Sequence, residues 1–278
     1  MKMTSRLIRG TLFYTAVILF VVIVAFPFYW QLITSLKSPQ EIYQMPPAWW
    51  PSSFYFGSYK DVFTKTPFGL YLLNSFIVSS ITTILCLVFG STTAYAVARL
   101  RFKGKKFLLG LVLSVSMFPP IAVLSPLFLI LKNLHLLSTY QGLIFPYMTF
   151  TMPLTIWILS SFFREIPKEL DEAAIVDGCT RLQTFWRIML PLSGPGLFTT
   201  GILVFIAAWN EFLFAFTFMT NDAMRTVPVG IAMFQGEHSL PWGDISAASI
   251  VVTVPLIILV LIFQKRIISG LTAGAVKG

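Results

Sequence analysis

Glu169-Leu170-Asp171-Glu172-Ala173-Ala174-Ile175-Val176-Asp177-Gly178, running on to Ile188-Met189-Leu190-Pro191, is a polar, helix-forming island in a chain that is otherwise a near-continuous series of apolar runs. Charged side chains crowd the segment from Arg164 to Asp177. Each charge at the centre of a bilayer costs several kcal/mol, so a lipid-facing segment could not carry them. The island therefore stands in water, free to touch a soluble partner, and the apolar runs around it meet lipid.

Working outward, runs free of Asp, Glu, Lys and Arg mark six expected spans. The first lies in Gly10 to Leu36, and the second in Phe68 to Ala98, entering the hydrocarbon from about Asn74. The third lies in Phe107 to Leu131 and the fourth near Gly142 to Phe163. The fifth runs from about Gly196 to Met219 and contains one acid, Glu211; the sixth is Ile245 to Gln264. Each is close to or above the ~20 residues that cross a hydrocarbon core as a helix. They are too long for a barrel strand and do not alternate. Composition agrees: of the 278 residues 56% are hydrophobic and only 11% charged, against about 25% charged in a soluble domain. The fold class expected is all-α, with six transmembrane helices in one domain over residues 1–278. Its core spans two to six are taken as 71–265, an external loop as 37–67, the polar loop as 164–195 and a tail as 265–278. The first apolar run has no small-residue cleavage site at the usual distance and reads as a retained span.

The net charge of +9 invites a nucleic-acid partner, and its distribution excludes one. Fifteen of the 20 Lys and Arg residues fall on the side of the amino end, the Arg99–Lys106 loop, the polar island and the carboxyl end, and five on the other. Lys and Arg concentrate beside cytoplasmic span ends, so both termini and the island are expected in the cytoplasm. Cys86 and Cys179 give no disulfide framework, and neither has a neighbour spaced for a metal. The external loop is rich in Pro and aromatics (Pro46-Pro47-Ala48-Trp49-Trp50-Pro51), as in a belt at the membrane interface. Pro27, Pro119-Pro120, Pro126, Pro146, Pro153 and Pro255 interrupt the spans and bend them.

Within the island, Pro167 suits a first helical turn, and Glu169, Asp171 and Glu172 put negative charge at the positive end of a helix. Gly178 closes that helix in the left-handed conformation. Thr180-Arg181-Leu182-Gln183 predicts a capping box opening a second helix, with Leu182, Phe185, Trp186 and Met189 as an apolar stripe. From the residues alone, a helix packed on its own spans and a helix offered to another protein remain equally open.

The residues resemble a known motif. Glu172-Ala173-Ala174, Asp177-Gly178, Ile188 and Leu190-Pro191 are similar to the EAA motif of binding-protein-dependent ABC transporter permeases, whose coupling helix sits in a cleft on a cytoplasmic ATPase subunit. The runs Leu136–Tyr147, Trp209-Asn210-Glu211-Phe212, Thr226-Val227-Pro228-Val229-Gly230 and Gly270–Gly278 are similar to carbohydrate permeases of the maltose-transporter G-subunit type. The resemblance covers nearly the whole chain. It implies a type I importer permease in a bacterial or archaeal inner membrane. It further implies a second homologous permease subunit, two ATPase subunits that bind ATP and Mg, an extracytoplasmic solute-binding protein and a sugar substrate. The tail is implied to lie against the ATPase pair.

No Gly-x-x-x-x-Gly-Lys-[Ser/Thr] occurs, so no phosphate-cradling loop is expected on this chain. No catalytic set is expected either, nor a cofactor of its own, and His135 and His238 read as solvated. Glu211 stands out, because an ionisable group inside a span is a functional candidate. Beside it Asn210 could bind a sugar hydroxyl, and Trp209 and Phe212 could stack on a sugar ring. The alternative is a packing contact or a hydrogen bond to a partner subunit. A proton- or sodium-driven carrier and a scaffold without a transport path are the rival functions.

Overall fold

A chain crossing lipid must satisfy its backbone amides within itself, and the computed structural model, which describes residues 2–234 and 240–273, contains helices and no strand among them. In chain order these are α1 (Lys2–Ser35), α2 (Pro39–Ile42), α3 (Gly57–Lys65), α4 (Phe68–Arg99), α5 (Lys105–Met117), α6 (Pro120–Asn133), α7 (Gln141–Glu165), α8 (Lys168–Val176) and α9 (Arg181–Thr184). A π-turn at Phe185–Met189 leads to α10 (Leu190–Leu192) and α11 (Gly194–Trp209). Then come α12 (Leu213–Phe218), a 3₁₀ turn at Asp222–Met224, α13 (Val227–Ala232) and α14 (Trp242–Ala273). His238 and the last five residues, including Lys277, lie outside the described residues.

Four helices are long and apolar enough to cross a membrane alone: Gly10–Ser35 of α1, α4, α7 and Trp242–Gln264 of α14. The expected third and fifth spans are not single helices. α5 and α6 meet at 96°, because Phe118 and Pro119 are both extended, with ψ of 128° and 124°. A proline disfavours the helical region for the residue before it and supplies no amide. By contrast Pro27, Pro126, Pro146, Pro153 and Pro255 lie inside continuous helices. The fifth expected span stops at Trp209, is interrupted over Asn210–Phe212 and resumes as α12. Just before its expected start the chain bends as well: the stretch Arg181–Leu192 meets α11 at 78°.

The chain divides into two compact units, Met1–Pro67 with Met233–Pro255 and Phe68–Ala232 with Leu256–Gly278. In the second, α4 packs along α7 and both pack on α11. Small residues permit the approach: a Cβ on Gly90 of α4 would stand 2.4 Å from the Thr155 methyl of α7, the kind of contact by which membrane helices associate. The amino-terminal end of α4 clasps the segment between α12 and α13. Asn74 donates to the carbonyls of Ala223 (2.8 Å) and Arg225 (3.0 Å), and Tyr71 to Asp222 (2.8 Å). The Val227 amide donates to Ser75 Oγ (2.8 Å). Gly230 is required there, since a Cβ would enter the Tyr71 ring at 2.2 Å.

In the first unit Lys37 is buried, donates to the Ala48 carbonyl and lies 4.6 Å from the Trp30 ring centroid. Glu41 accepts the Ser52 amide at 2.8 Å, and hydrogen bonding to Ser52 pulls its carboxyl down to about 2. Trp49, Trp50, Phe54 and Phe56 remain exposed, as interfacial aromatics do.

Candidate functional site: the loop between α7 and α11

α7 leaves its bundle at Glu165, and Ile166 and Pro167, both extended, turn the chain into α8. Pro167 thus stands just before the helix rather than in its first turn. α8 closes in a Schellman motif. The Cys179 amide donates to the Ala174 carbonyl (2.9 Å) and the Gly178 amide to that of Ile175 (3.0 Å). Gly178 has φ +86°. α9 opens with the expected capping box: the Thr180 amide donates to Gln183 Oε1 (2.8 Å) and the Gln183 amide to Thr180 Oγ1 (3.3 Å). These bonds satisfy helix-end groups that would otherwise need water or a partner.

The loop is bolted to the bundle by two attachments. In the first, buried Asp171 lies 3.4 Å from Arg99 Nε and accepts from the Tyr95 hydroxyl at 3.2 Å. The guanidinium also donates to the Ile166 carbonyl. Arg99 Nε itself makes no aligned hydrogen bond, so the pair is electrostatic at that atom. In the second, Phe185 and Met189 insert among Ala94, Tyr95, Leu159 and Phe163, with Leu190 packed at the edge. The Tyr95 and Phe185 rings are 5.3 Å apart.

The expected stripe divides. Phe185 and Met189 are buried, whereas Leu182 and Trp186 are 64% and 49% exposed. The pairs four residues apart stay together, Phe185 with Met189 inside and Leu182 with Trp186 outside, and the three-residue neighbours separate. Over Phe185–Met189 the winding is wider than 3.6 residues per turn, with the Leu190 amide reaching back to the Phe185 carbonyl.

Of the coupling candidates, Ala174 is buried, Leu190 is half-buried, and Glu172, Ala173, Asp177, Gly178 and Pro191 are exposed. In the same loop Ile175, Val176 (85% exposed), Leu182 and Trp186 are exposed as well. The loop therefore leaves Ala173 and several apolar side chains bare, with its own attachments turned inward. Such a patch marks an interaction surface.

The second candidate region is the break at 209–212. The Glu211 carboxylate accepts the amides of Phe214 (2.9 Å) and Ala215 (3.2 Å), and so caps α12. Asn210 Nδ2 donates to the Ile206 carbonyl (2.8 Å), closing α11. Both polar residues thus answer helix ends that lie inside the expected span, as buried non-helical backbone requires. Trp209 is buried, with its ring stacked on Phe205 at 5.6 Å, while Asn210 and Phe212 are exposed. The buried Trp209 Nε1 makes no hydrogen bond, and the buried Tyr147 hydroxyl, also without an aligned hydrogen bond, faces the Glu211 carboxylate.

Residues 86–272 match the family described as binding-protein-dependent transport system inner membrane component. The chain belongs to this family. Among its relatives, the trehalose/maltose transport system permease protein MalG of Thermococcus litoralis is 45% identical over 99% of this chain and 100% of the relative. The trehalose transport system permease protein SugB of Mycobacterium tuberculosis is 48% identical over 82% of this chain and 84% of the relative. Among solved structures, a bacterial ABC transporter involved in the import of the acidic polysaccharide alginate contains a chain of the same fold. The TM-score is 0.82 at 22% identity, covering 94% of this chain and 97% of that one.

This permease is therefore an inner-membrane transport component, and its family segment spans both candidate regions. Reading the sequence missed Arg99 and Tyr95 as partners of the loop. Arg99 was visible only as one of a basic cluster ending a span, and nothing local linked it to Asp171. The unpaired Trp209 Nε1 and the approach of Tyr147 to Glu211 carried no sequence signal.

Proposed function

We propose that this permease is one of two membrane-spanning subunits of an ATP-driven importer for a carbohydrate, a di- or oligosaccharide delivered by an extracytoplasmic binding protein. The observation that carries the reading is the exposed face of α8. It is fixed from behind by Asp171, Phe185 and Met189, and presents small Ala173 and bare Val176 outward. A rigid knob of this kind transmits force from whatever grips it. We place it in the cytoplasm, from the side on which fifteen of the Lys and Arg residues fall.

Two ATPase subunits hold ATP and Mg; the nucleotide is bound and hydrolysed there, and this chain breaks no bond. Glu172, Ala173, Ala174, Asp177 and Gly178 form the gripped elbow, and Leu190-Pro191 returns the motion to α11. Closure of the ATPase pair moves the elbow, and α4, α7 and α11 rock with it. The break at 209–212 borders the sugar path. Exposed Asn210 and Phe212 are the groups available to a hydroxyl and a ring face, Glu211 fixes their backbone and Trp209 packs behind them.

Relatives support the substrate class. Besides the trehalose and maltose systems, a sulfoquinovosyl glycerol permease of Agrobacterium fabrum is 45% identical over 91% of this chain. A diacetylchitobiose permease of Streptomyces coelicolor is 37% identical over 95%. The test is ATP-dependent sugar uptake by the assembled complex in vesicles. Uptake that persists without ATPase subunits, driven by a proton or sodium gradient, overturns the reading.

A further inference from the structure

A cavity of about 790 Å³ opens where α4 ends, between the α4–α5 turn and α8. Five cations line it, Arg99, Arg101, Lys105, Lys168 and Arg181, against the two carboxylates Asp171 and Glu172. Asp171 is already engaged by Arg99 and Tyr95. Among the described residues, Arg101, Lys105, Lys168 and Arg181 have no carboxylate within salt-bridge distance. Like charges gathered around a partly enclosed space repel one another, and an anion placed among them relieves that repulsion.

Lys105 is also the first residue of α5, and α5 has no buried residue. Phe107, Leu111 and Met117 are 76%, 50% and 85% exposed. Cationic cavity and bare apolar helix are thus continuous along one element, at the point where a span leaves the hydrocarbon. That combination fits an amphiphile with a phosphate head and hydrocarbon tails, and does not fit a water-soluble acidic protein segment, which would leave α5 uncovered. Basic pockets at span ends seat anionic headgroups for this reason.

We propose that this cavity holds the headgroup of one anionic phospholipid, phosphatidylglycerol or its like, with acyl chains laid along α5. The lipid then bridges the α4–α5 turn to α8, beside the Arg99–Asp171 attachment. This site is separate from the sugar path and does not depend on what is transported.

The experiment places the assembled complex in nanodiscs of phosphatidylcholine containing a minor fraction of phosphatidylglycerol and counts retained lipids by native mass spectrometry. The unaltered complex retains phosphatidylglycerol preferentially. Each cation near an anionic group contributes about a factor of five, so Arg101→Gln/Lys105→Gln lowers the preference about 25-fold. Arg101→Lys/Lys105→Arg keeps it, and Lys60→Gln/Lys132→Gln, which removes two exposed cations elsewhere, leaves it unchanged. Equal preference in the unaltered and Arg101→Gln/Lys105→Gln complexes overturns the proposal. So does loss of ATPase subunits from that variant with lipid retention intact, which would assign the cations to a protein partner. If the variant does not assemble, the unaltered complex decides: the preference falls as ionic strength rises, and a salt-independent preference overturns the proposal.

Discussion

The loop between α7 and α11 and the break at 209–212 are both short interruptions in apolar helix, yet they use their polar residues in opposite directions. In the loop the structural bonds face inward, through Asp171, Phe185 and Met189, and the remaining face is left bare. In the break the polar residues spend their bonding on adjacent backbone, Glu211 on α12 and Asn210 on α11. A region in water can leave small and apolar side chains for a partner, because water satisfies what the fold does not. A region inside the bundle must first close its own helix ends, so a charge there is no guide to a ligand until the caps are counted.

The largest effect is expected where the loop's attachment is broken from one side. Asp171→Ala strands the Arg99 guanidinium, whose side chain is 4% exposed. Removing one partner of a buried pair costs about 3–5 kcal/mol. The assembled complex should melt far earlier and lose coupled uptake. Arg99→Met/Asp171→Leu should recover most of the melting temperature, since an apolar pair of similar volume avoids the stranded charge. A double variant as unstable as the single one would show that the loop is held by something other than this pair.

A smaller effect follows at the elbow. Gly178 stands at φ +86° with open space where a Cβ would be, so Gly178→Val strains backbone alone, by about 1–2 kcal/mol. The complex should assemble, yet sugar uptake should fall more than ATP hydrolysis, because the elbow's direction changes while its anchors stay. Gly178→Asn should be milder, as asparagine tolerates the left-handed region. Parallel loss of uptake and hydrolysis in Gly178→Val would instead make Gly178 a folding residue only.

These two expectations also divide what was legible in the sequence from what was not. The Schellman turn and the capping box are bonds between residues three to five apart, and Gly178, Thr180 and Gln183 announced them by type and spacing. The spans were legible by length and apolarity, with α7 and α4 near their expected limits. The Arg99–Asp171 pair joins residues brought together only by packing of α4 and α7, so no local pattern could show it. The split of Leu182, Phe185, Trp186 and Met189 had the same origin, since Phe185 is buried by rings from α4 and α7, Tyr95 and Phe163, that lie far from it in sequence. Six sites of proline in the spans read alike, and only Phe118-Pro119 became a sharp break.

At 209–212 the comparison is sharpened by separating charge from capping. Glu211→Ala removes both acceptor bonds to Phe214 and Ala215 and should destabilise by about 1 kcal/mol, the typical worth of a helix cap. Uptake should fall with it, as Asn210 and Phe212 lose their backbone. Glu211→Gln keeps one acceptor oxygen and should transport near the normal rate. A Gln variant with normal melting and no uptake would show that the carboxylate charge itself works in the path, and the two regions would then differ less than their hydrogen bonds indicate.

The smallest expected effect lies at Thr180, back in water. Thr180→Ala removes the acceptor for the Gln183 amide, one half of the capping box, and exposed caps of this kind contribute about 1 kcal/mol. Water can reach the freed amide, so the loss should sit at the lower end, and Phe185 and Met189 still hold the segment that follows. Melting should shift by a degree or two at most on this scale, with the ratio of sugar moved to ATP hydrolysed unchanged. A changed ratio would mean that α9 is not a passive link between the elbow and α11. The gripped surface would then extend through Leu182 and Trp186, whose exposed side chains are already placed to meet a partner.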